Sequence, residues 1–533
     1  MKKFHRAGVL ALALAALGAN GLRAQTDAPP SLVVMIVVDQ LGGDLVDRYE
    51  PAFDGGLRRF MDQGYRFTQA SHAHAMTETA PGHATLATGV HPSRHGVVAN
   101  NWLERSEMDW SNMYAVGDAD HPILGFENEP VLEGRSPRNL LRGGIADWVL
   151  DQDPEARTVS ISKKDRAAVT MAGRTSQNAW WLLDQLGIFI TSTYYADAYP
   201  EWITRFNGAV MPGLALDSIW DNEVPEQLRE LARPDSADYE QGGATGSSFP
   251  HIGTQVAGPV GSQEFNMWAF DQPRADDAVL DLAKAAIDEL DLGQREGHVD
   301  FLALSFSGLD RVGHAYGPFS QEAFSTLVHV DGVLADLLSY LDESVGEGRW
   351  VAGLAGDHGA LENPEAAREG GNSAAERVDE AQVRERMTEA LREAALEGPD
   401  PQAIATRLAE LVEERGIVER AYTHQELMGG GEPSDSFAIL YRNSLHLDRA
   451  WGILSRFGVE VRYAEGKLVT PYPTGTNHGS PYWYDRHIEM MFLGAGVPHA
   501  VSGEPVYTTD FAPTLAGIGG VRTPGDLDGR QMF

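Results

Sequence analysis

The sequence predicts an α/β protein with a doubly wound, mostly parallel sheet, helices on both faces and added cap insertions. Three observations predict it. Short, continuous apolar runs at residues 32–38, 158–161, 301–306 and 350–354 have the character of strands buried on both faces. Segments with apolar residues at helical spacing, 275–290 and 324–341, lie between them, and a repeated strand-then-helix order belongs to a parallel sheet. Each run also stops at polar residues: Asp39, the Ser162-Lys163-Lys164-Asp165-Arg166 stretch, Asp310 after Ser-Gly-Leu, and the Asp357-His358 pair. Ligands of such sheets bind beyond the carboxyl ends of the strands, so these four ends are candidates for one site.

Residues 1–24 read as a secretory signal, with Lys2, Lys3 and Arg6 at the start, an apolar centre over 7–19 and Leu22-Arg23-Ala24 as a small-residue cleavage site. That centre is too short to span a bilayer, and no later segment stands out as a transmembrane helix. The expectation is an exported protein, periplasmic or secreted, monomeric and free of the membrane once the signal is removed. The chain of 533 residues is 43% hydrophobic, enough for a large core. It contains no cysteine, which excludes disulfides, a cysteine-linked lipid anchor, thiolate metal sites and cysteine nucleophiles. Asp, His and hydroxyl groups are left to carry the chemistry.

The net charge is -35, and loss of the four signal cations makes the mature chain more negative still. Nucleic acid and anionic membranes are therefore not expected partners. An anionic small molecule can still bind where local cations gather, because salt screens the overall field beyond roughly 8 Å. Residues 25–533 read as one catalytic domain with insertions at about 180–261 and 362–432. The first is rich in Trp, Tyr, Pro and Gly and suits a cap over the substrate pocket, its aromatics forming local core. The second is charged and helical, with Val383, Met387, Leu391 and Ala394 on one face and Ile404, Leu408 and Leu411 on another.

The stretch 77–102, TETAPGHATLATGVHPSRHGVVANNW, places one hydroxyl in a fixed setting. Pro81 favours a first helical turn and Gly89 suits the left-handed residue that ends a short helix, so Thr79 falls at a helix N-terminus. Free N–H groups and the positive end of the helix dipole collect there, which suits a phosphate or an alkoxide. Asn100 is a second candidate donor. Asp310 and His314 are four residues apart, so both can face one ion from a single helix turn. Asp357 and His358 are adjacent and need a turn to aim both inward. His478 lies in a Gly- and Pro-rich loop. Each of these also fits a plain structural role alone: a helix cap, a turn, a surface histidine. Together, Asp39, Thr79, Asp310, His314, Asp357, His358 and His478 form an oxygen and nitrogen donor set suited to two zinc ions.

With these residues in view, the chain resembles the phosphate-irrepressible alkaline phosphatases, a threonine-nucleophile, two-zinc branch of the alkaline phosphatase superfamily. The resemblance runs from Leu32 to the C-terminal TTDFAPTLAGIGG segment. It implies that Thr79 of TAPGH is the nucleophile and that Asn100 of GxxxNNW contacts a phosphoryl oxygen. It implies that Lys164 and Arg166 of the Lys-Asp-Arg triplet hold the phosphoryl group. One Zn2+ would be bound by Asp39, Thr79, Asp357 and His358, and the other by Asp310, His314 and His478. No third ion is expected, because Thr79 follows glutamate where the magnesium-using enterobacterial type has serine after aspartate.

The expected reaction is hydrolysis of small-molecule phosphate monoesters through a phosphothreonine. A monoester dianion carries an extra charged oxygen that Lys164 and Arg166 would pair; in a diester a second organic group would collide with them. Two alternatives stand beside this reading: a nucleotide phosphodiesterase of the same superfamily, which should lack that cation pair, and a zinc- or phosphate-binding protein without turnover.

Overall fold

The LVVMIVV run organises the molecule. It forms strand β1 (Leu32–Val38), buried along its whole length. Leu32, Val34, Ile36 and Val38 enter one hydrophobic core, and Val33, Met35 and Val37 enter a second on the opposite face. A strand covered on both sides needs apolar residues at every position, and this one has them. In this computed structural model the described residues are 29–533, apart from 107–108, 130–131, 175–176, 215, 217, 242–246, 430 and 432. The expected signal segment lies outside the described residues.

The further strands of the central sheet are β2 (Tyr65–Phe67), β3 (Thr158–Ser162), β4 (Asn178–Leu183), β5 (Ile188–Ile190), β6 (Asp300–Phe306), β7 (Trp350–Gly356), β8 (Met490–Gly494) and β9 (Ala500–Ser502). In space they run β9-β2-β8-β7-β1-β6-β3-β4-β5. The five strands from β7 to β4 are parallel. β8 is antiparallel to both β7 and β2, and β5 is antiparallel to β4. The helices that matter here are α1 (Thr79–Thr88), α2 (Asp165–Ala172), α3 (Arg274–Glu289), α4 (Gly308–Tyr316), α5 (Gln321–Leu341), α6 (Glu380–Ala394) and α7 (Pro401–Glu414). α3 and α5 cover the face of the first core; Leu86 of α1 with Ala167 and Met171 of α2 cover the other. The fold is the doubly wound α/β architecture that the run-and-helix order predicts.

Three local expectations change. Residues 180–190 belong to the sheet as β4 and β5 rather than to an insertion, and the excursion starts after them. Part of the aromatic density that suggests a cap is strand side chain: Trp180 and Trp181 point to opposite faces and pack into different cores, while Trp202, Phe206 and Trp220 beyond β5 enter the first core. The charged helical region has a core of its own in which Val383, Met387, Leu408 and Leu411 meet Leu454 and Val459, so this satellite reaches past residue 432. Finally, residues Gln321–Gly346 are long and apolar enough to cross a membrane by length and composition. Leu327, Val330, Leu334, Leu337 and Leu341 of that helix are instead fully buried in the first core.

Register is what the sheet contributes to function. Val38, the last residue of β1, lies opposite both Phe306 and Gly356, the last residues of its neighbours. Ser305 of β6 likewise faces Ser162 at the end of β3. Adjacent strands are about 4.8 Å apart, so the residues that follow these ends emerge together along one edge.

Candidate active site

Asp39 and Asp357 are the first residues beyond β1 and β7, and His358 follows at the turn. All three are 0% exposed, and their donor atoms lie within 4.8 Å of one another. β6 continues into α4, whose one-turn spacing sets His314 Nε2 3.2 Å from Asp310 Oδ1. His478 reaches the same oxygen from its loop, with Nε2 at 3.5 Å. Asp310, His314 and His478 thus make a second compact group. The two groups touch, since the His358 and His478 rings stack with centroids 3.6 Å apart.

The imidazoles share one orientation. His314 Nδ1 lies 3.1 Å from the Thr476 carbonyl, His358 Nδ1 3.0 Å from the Gly359 carbonyl and His478 Nδ1 2.7 Å from the Thr77 carbonyl. A carbonyl only accepts, so each Nδ1 carries a proton and each Nε2 is the nitrogen turned inward, the arrangement of metal-binding histidines. Asp39 Oδ1, Asp357 Oδ2 and His358 Nε2 are buried without a hydrogen-bond partner among the described residues. Buried lone pairs that face one another call for positive charge between them. The donors therefore fit metal cations, with one site in each group.

Electrostatics point the same way. Burial, with the Asp310 and Asp357 carboxylates added, pushes Asp39 well above the usual carboxylate range. Burial opposes the charge of Asp310 too, but His314 and the Lys164 ammonium outweigh it and hold that group well below the range. Burial lowers His478, yet its contact with Asp310 raises it to about 9. Lys164 Nζ bridges the two groups, 2.5 Å from Asp39 Oδ2 and 2.5 Å from Asp310 Oδ2.

Thr79 opens α1, and Gly89 at φ 68° ends it in the left-handed conformation. Gly82 lets this helix lie directly on the Asp357 backbone: a Cβ there would stand 2.3 Å from the Asp357 carbonyl oxygen. The Thr79 hydroxyl, on a residue 1% exposed, lies 3.5 Å from Lys164 Nζ and 3.4 Å from Arg166 Nη2. Asn100 takes the Ala80 N–H on Oδ1 at 2.8 Å and donates its own backbone N–H to Glu78 at 2.6 Å, so its side-chain amide is anchored at the first turn of α1. Lys164 and Arg166 flank the start of α2, and Asp165 between them accepts from Tyr114 Oη at 2.5 Å, Arg135 Nε at 2.5 Å and Arg166 N at 2.7 Å. The structure brings every residue singled out from the sequence into this one place.

It also adds residues. His83, four residues after Thr79, hydrogen-bonds through Nδ1 to the Thr79 carbonyl at 2.9 Å and lies 3.1 Å from Asp357 Oδ2. The four-residue spacing that marks Asp310 and His314 marks this pair as well. Gln40 carries no such signal. It adopts φ 70° and donates its backbone N–H to Asp357 at 3.0 Å and its amide to Asp310 at 3.1 Å, tying one group to the other.

Similarity to known proteins agrees with this geometry. A family model described as type I phosphodiesterase / nucleotide pyrophosphatase matches residues 33–451. The alkaline phosphatase PhoV of Synechococcus elongatus is 29% identical, over 95% of this chain and 93% of its own. The alkaline phosphatase PafA of Elizabethkingia meningoseptica is 28% identical over 94% of each chain. The crystal structure of wild-type alkaline phosphatase PafA superimposes with a TM-score of 0.80 at 26% identity, covering 95% of this chain and 98% of that one. A polar cluster built at the ends of parallel strands, on a fold and sequence shared along nearly the whole length, places the chain in the type I phosphodiesterase / nucleotide pyrophosphatase family, beside its alkaline phosphatases.

Proposed function

We propose that the chain is an exported, zinc-dependent alkaline phosphatase that hydrolyses phosphate monoesters through a covalent phosphothreonine at Thr79 and releases inorganic phosphate. The convergence of Lys164 and Arg166 on the Thr79 hydroxyl, at 3.5 and 3.4 Å, carries this reading. Asp39, Asp357 and His358, with the Thr79 oxygen, would hold one Zn2+, and Asp310, His314 and His478 the other. Bound zinc supplies Lewis-acid stabilisation of the attacking and leaving oxygens and makes the threonine hydroxyl acidic enough to react.

The chain's own residues do the rest. Thr79 Oγ gives up its proton to solvent and forms a bond to phosphorus as the bond to the leaving alkoxide breaks, and that alkoxide takes a proton back from solvent and departs as the alcohol. Water then attacks the phosphothreonine, restoring the hydroxyl and releasing phosphate. Lys164, Arg166 and the Asn100 amide hold the phosphoryl oxygens, and Asp165 holds the Arg166 backbone at the start of α2. His83 holds the Thr79 carbonyl and so the first turn of α1. A monoester dianion uses both cations, whereas a diester leaves one charge unpaired and crowded. The basic and then apolar pattern of residues 1–24 supports export.

Phosphodiester hydrolysis is the second reading, because the family description includes it. Turnover of an aryl phosphate monoester and the matching diester, each with added zinc and after chelation, separates the two. A strong zinc-dependent preference for the monoester is expected. A diester preference overturns the role given to Lys164 and Arg166, and turnover of neither returns the chain to a binding function.

A further inference from the structure

Gln40, directly after Asp39, carries two costs. Its φ of 70° lies in the left-handed region, where among the described residues Asp291 is the only other non-glycine with a positive φ. A residue with a Cβ is disfavoured there, and such strain persists only where the surroundings impose it. Gln40 is also 0% exposed, yet its Oε1 has no hydrogen-bond partner among the described residues. An apolar side chain of the same length would fill that space without burying an unpaired acceptor. Packing alone therefore does not account for a glutamine at this position.

What Gln40 does make is a pair of donations to two different carboxylates. φ is the rotation that sets a side chain against its own N–H, and at 70° the two donors diverge: the backbone N–H reaches Asp357 Oδ1 at 3.0 Å and Nε2 reaches Asp310 Oδ1 at 3.1 Å. At Asp357 this occupies one oxygen and leaves Oδ2 3.4 Å from His358 Nε2. At Asp310, Oδ2 is taken by Lys164, and Oδ1 is the oxygen 3.2 and 3.5 Å from the Nε2 atoms of His314 and His478. Oδ1 has two lone pairs; the amide takes one and leaves the other for the second group. Helix α4 makes room for this contact, since a Cβ on Gly313 would stand 1.7 Å from Gln40 Oε1. The helix that carries Asp310 and His314 is thus shaped to admit the residue that follows Asp39.

Resting on the zinc-dependent reading above, we infer that Gln40 is a positioning residue for both metal sites: it orients Asp357 from its backbone and Asp310 from its side chain, so that the two donor groups form as one unit. Hydrogen bonds to ligating carboxylates tune metal affinity by about 10- to 100-fold, and here one residue supplies them to both groups.

Zinc titration of the mature protein against a competing chelator reads the two stepwise affinities, and thermal unfolding of the metal-free protein reads packing. Gln40→Met keeps the side-chain length and the backbone N–H but loses the amide. It is expected to retain two ions, to weaken one of them by about 10-fold or more, and to leave the metal-free Tm no lower than that of the wild type. Gly313→Ala attacks the same contact from the helix by displacing the amide, and should weaken the same ion. The double variant should be no worse than the weaker single one, because both changes break one contact. Wild-type affinities in Gln40→Met, a metal-free Tm lowered in step with the loss of zinc, or losses that add in the double variant overturn the role. A wild type that binds no zinc would instead remove the metal-dependent reading, and the inference with it.

Discussion

Asp39, Asp357 and His358 are held by the ends of two adjacent, in-register strands and are 0% exposed. Asp310 and His314 ride a helix and His478 a loop, and the His314 side chain is 29% exposed. The donors are similar but the mounting differs. A strand pair inside a nine-stranded sheet cannot shift without breaking its ladder, so the first group is rigid and dry. The second rests on a helix and a loop, with a cavity at its edge. On the proposed function, with Thr79 as nucleophile, that asymmetry would give rigidity on the attacking side and access on the other.

The largest test removes the attacking side's reactive atom. Thr79→Ala is expected to lower monoester turnover by about 10⁴-fold or more and to abolish the acid-stable phosphoenzyme, while most bound metal stays. Retained turnover would move the nucleophile elsewhere. Next in size, Lys164→Ala combined with Arg166→Ala should cost monoesters about 10³-fold and diesters far less, because two charge-assisted contacts are lost only where a dianion uses them. Equal losses in kcat/KM would deny those cations their assigned role.

The contrast between the groups is sharpest in a rescue experiment. His314→Ala and Asp357→Asn should each lower activity about 10²-fold through weakened metal binding. Added imidazole should restore part of the activity in the His314 variant, which opens to a cavity, whereas formate should restore none in the Asp357 variant. Rescue of both or of neither would erase the distinction.

The smallest effect concerns an ion-pair clamp between α5 and α3, outside both groups. His329 on α5 joins Glu223 at 3.0 Å to Asp277 of α3 at 2.9 Å. Burial lowers its pKa, but the two carboxylates outweigh this and raise it to about 10. Because the folded value lies above the ordinary one near 6.5, this clamp stabilises fully below that pH and is lost as pH rises towards 10. Wild-type stability should therefore fall by about 1–2 kcal/mol across that window through this contact, after discounting for solvent, and His329→Gln should flatten the decline. An unchanged pH dependence of Tm in that variant would dismiss the clamp.

Much of the fold and of the site is legible in the chain itself, and the reason is local. A strand buried on both faces must be apolar throughout, so β1, β6 and β7 are conspicuous, and a polar residue directly after such a run has no role in the strand. Asp39 and Asp357 are marked on that ground. Asp310 and His314 are visible through helical spacing, and Gly89 marks the end of the helix that Thr79 begins. Where sequence and structure part, competing causes give the same local pattern. The Trp180-Trp181 pair resembles a cap because aromatic strand residues and aromatic loop residues have the same composition. The apolar helix over Gln321–Gly346 has the length of a membrane span, and its burial comes from helices and strands far away in sequence.

By itself the sequence marked the candidate site residues, the principal strands and helices of the sheet, and the absence of thiol chemistry, because composition, spacing and helix ends are properties of neighbouring residues. Tertiary structure decided the rest. Strand register set Asp39 beside Asp357, helix packing on Gly82 laid Thr79 over the Asp357 backbone, and the loop carrying His478 stacked its ring on His358. Gln40 and the cavity at His314 also belong here, since each is made by residues hundreds of positions apart. Such contacts depend on long-range packing free energy and leave no period or motif in the chain.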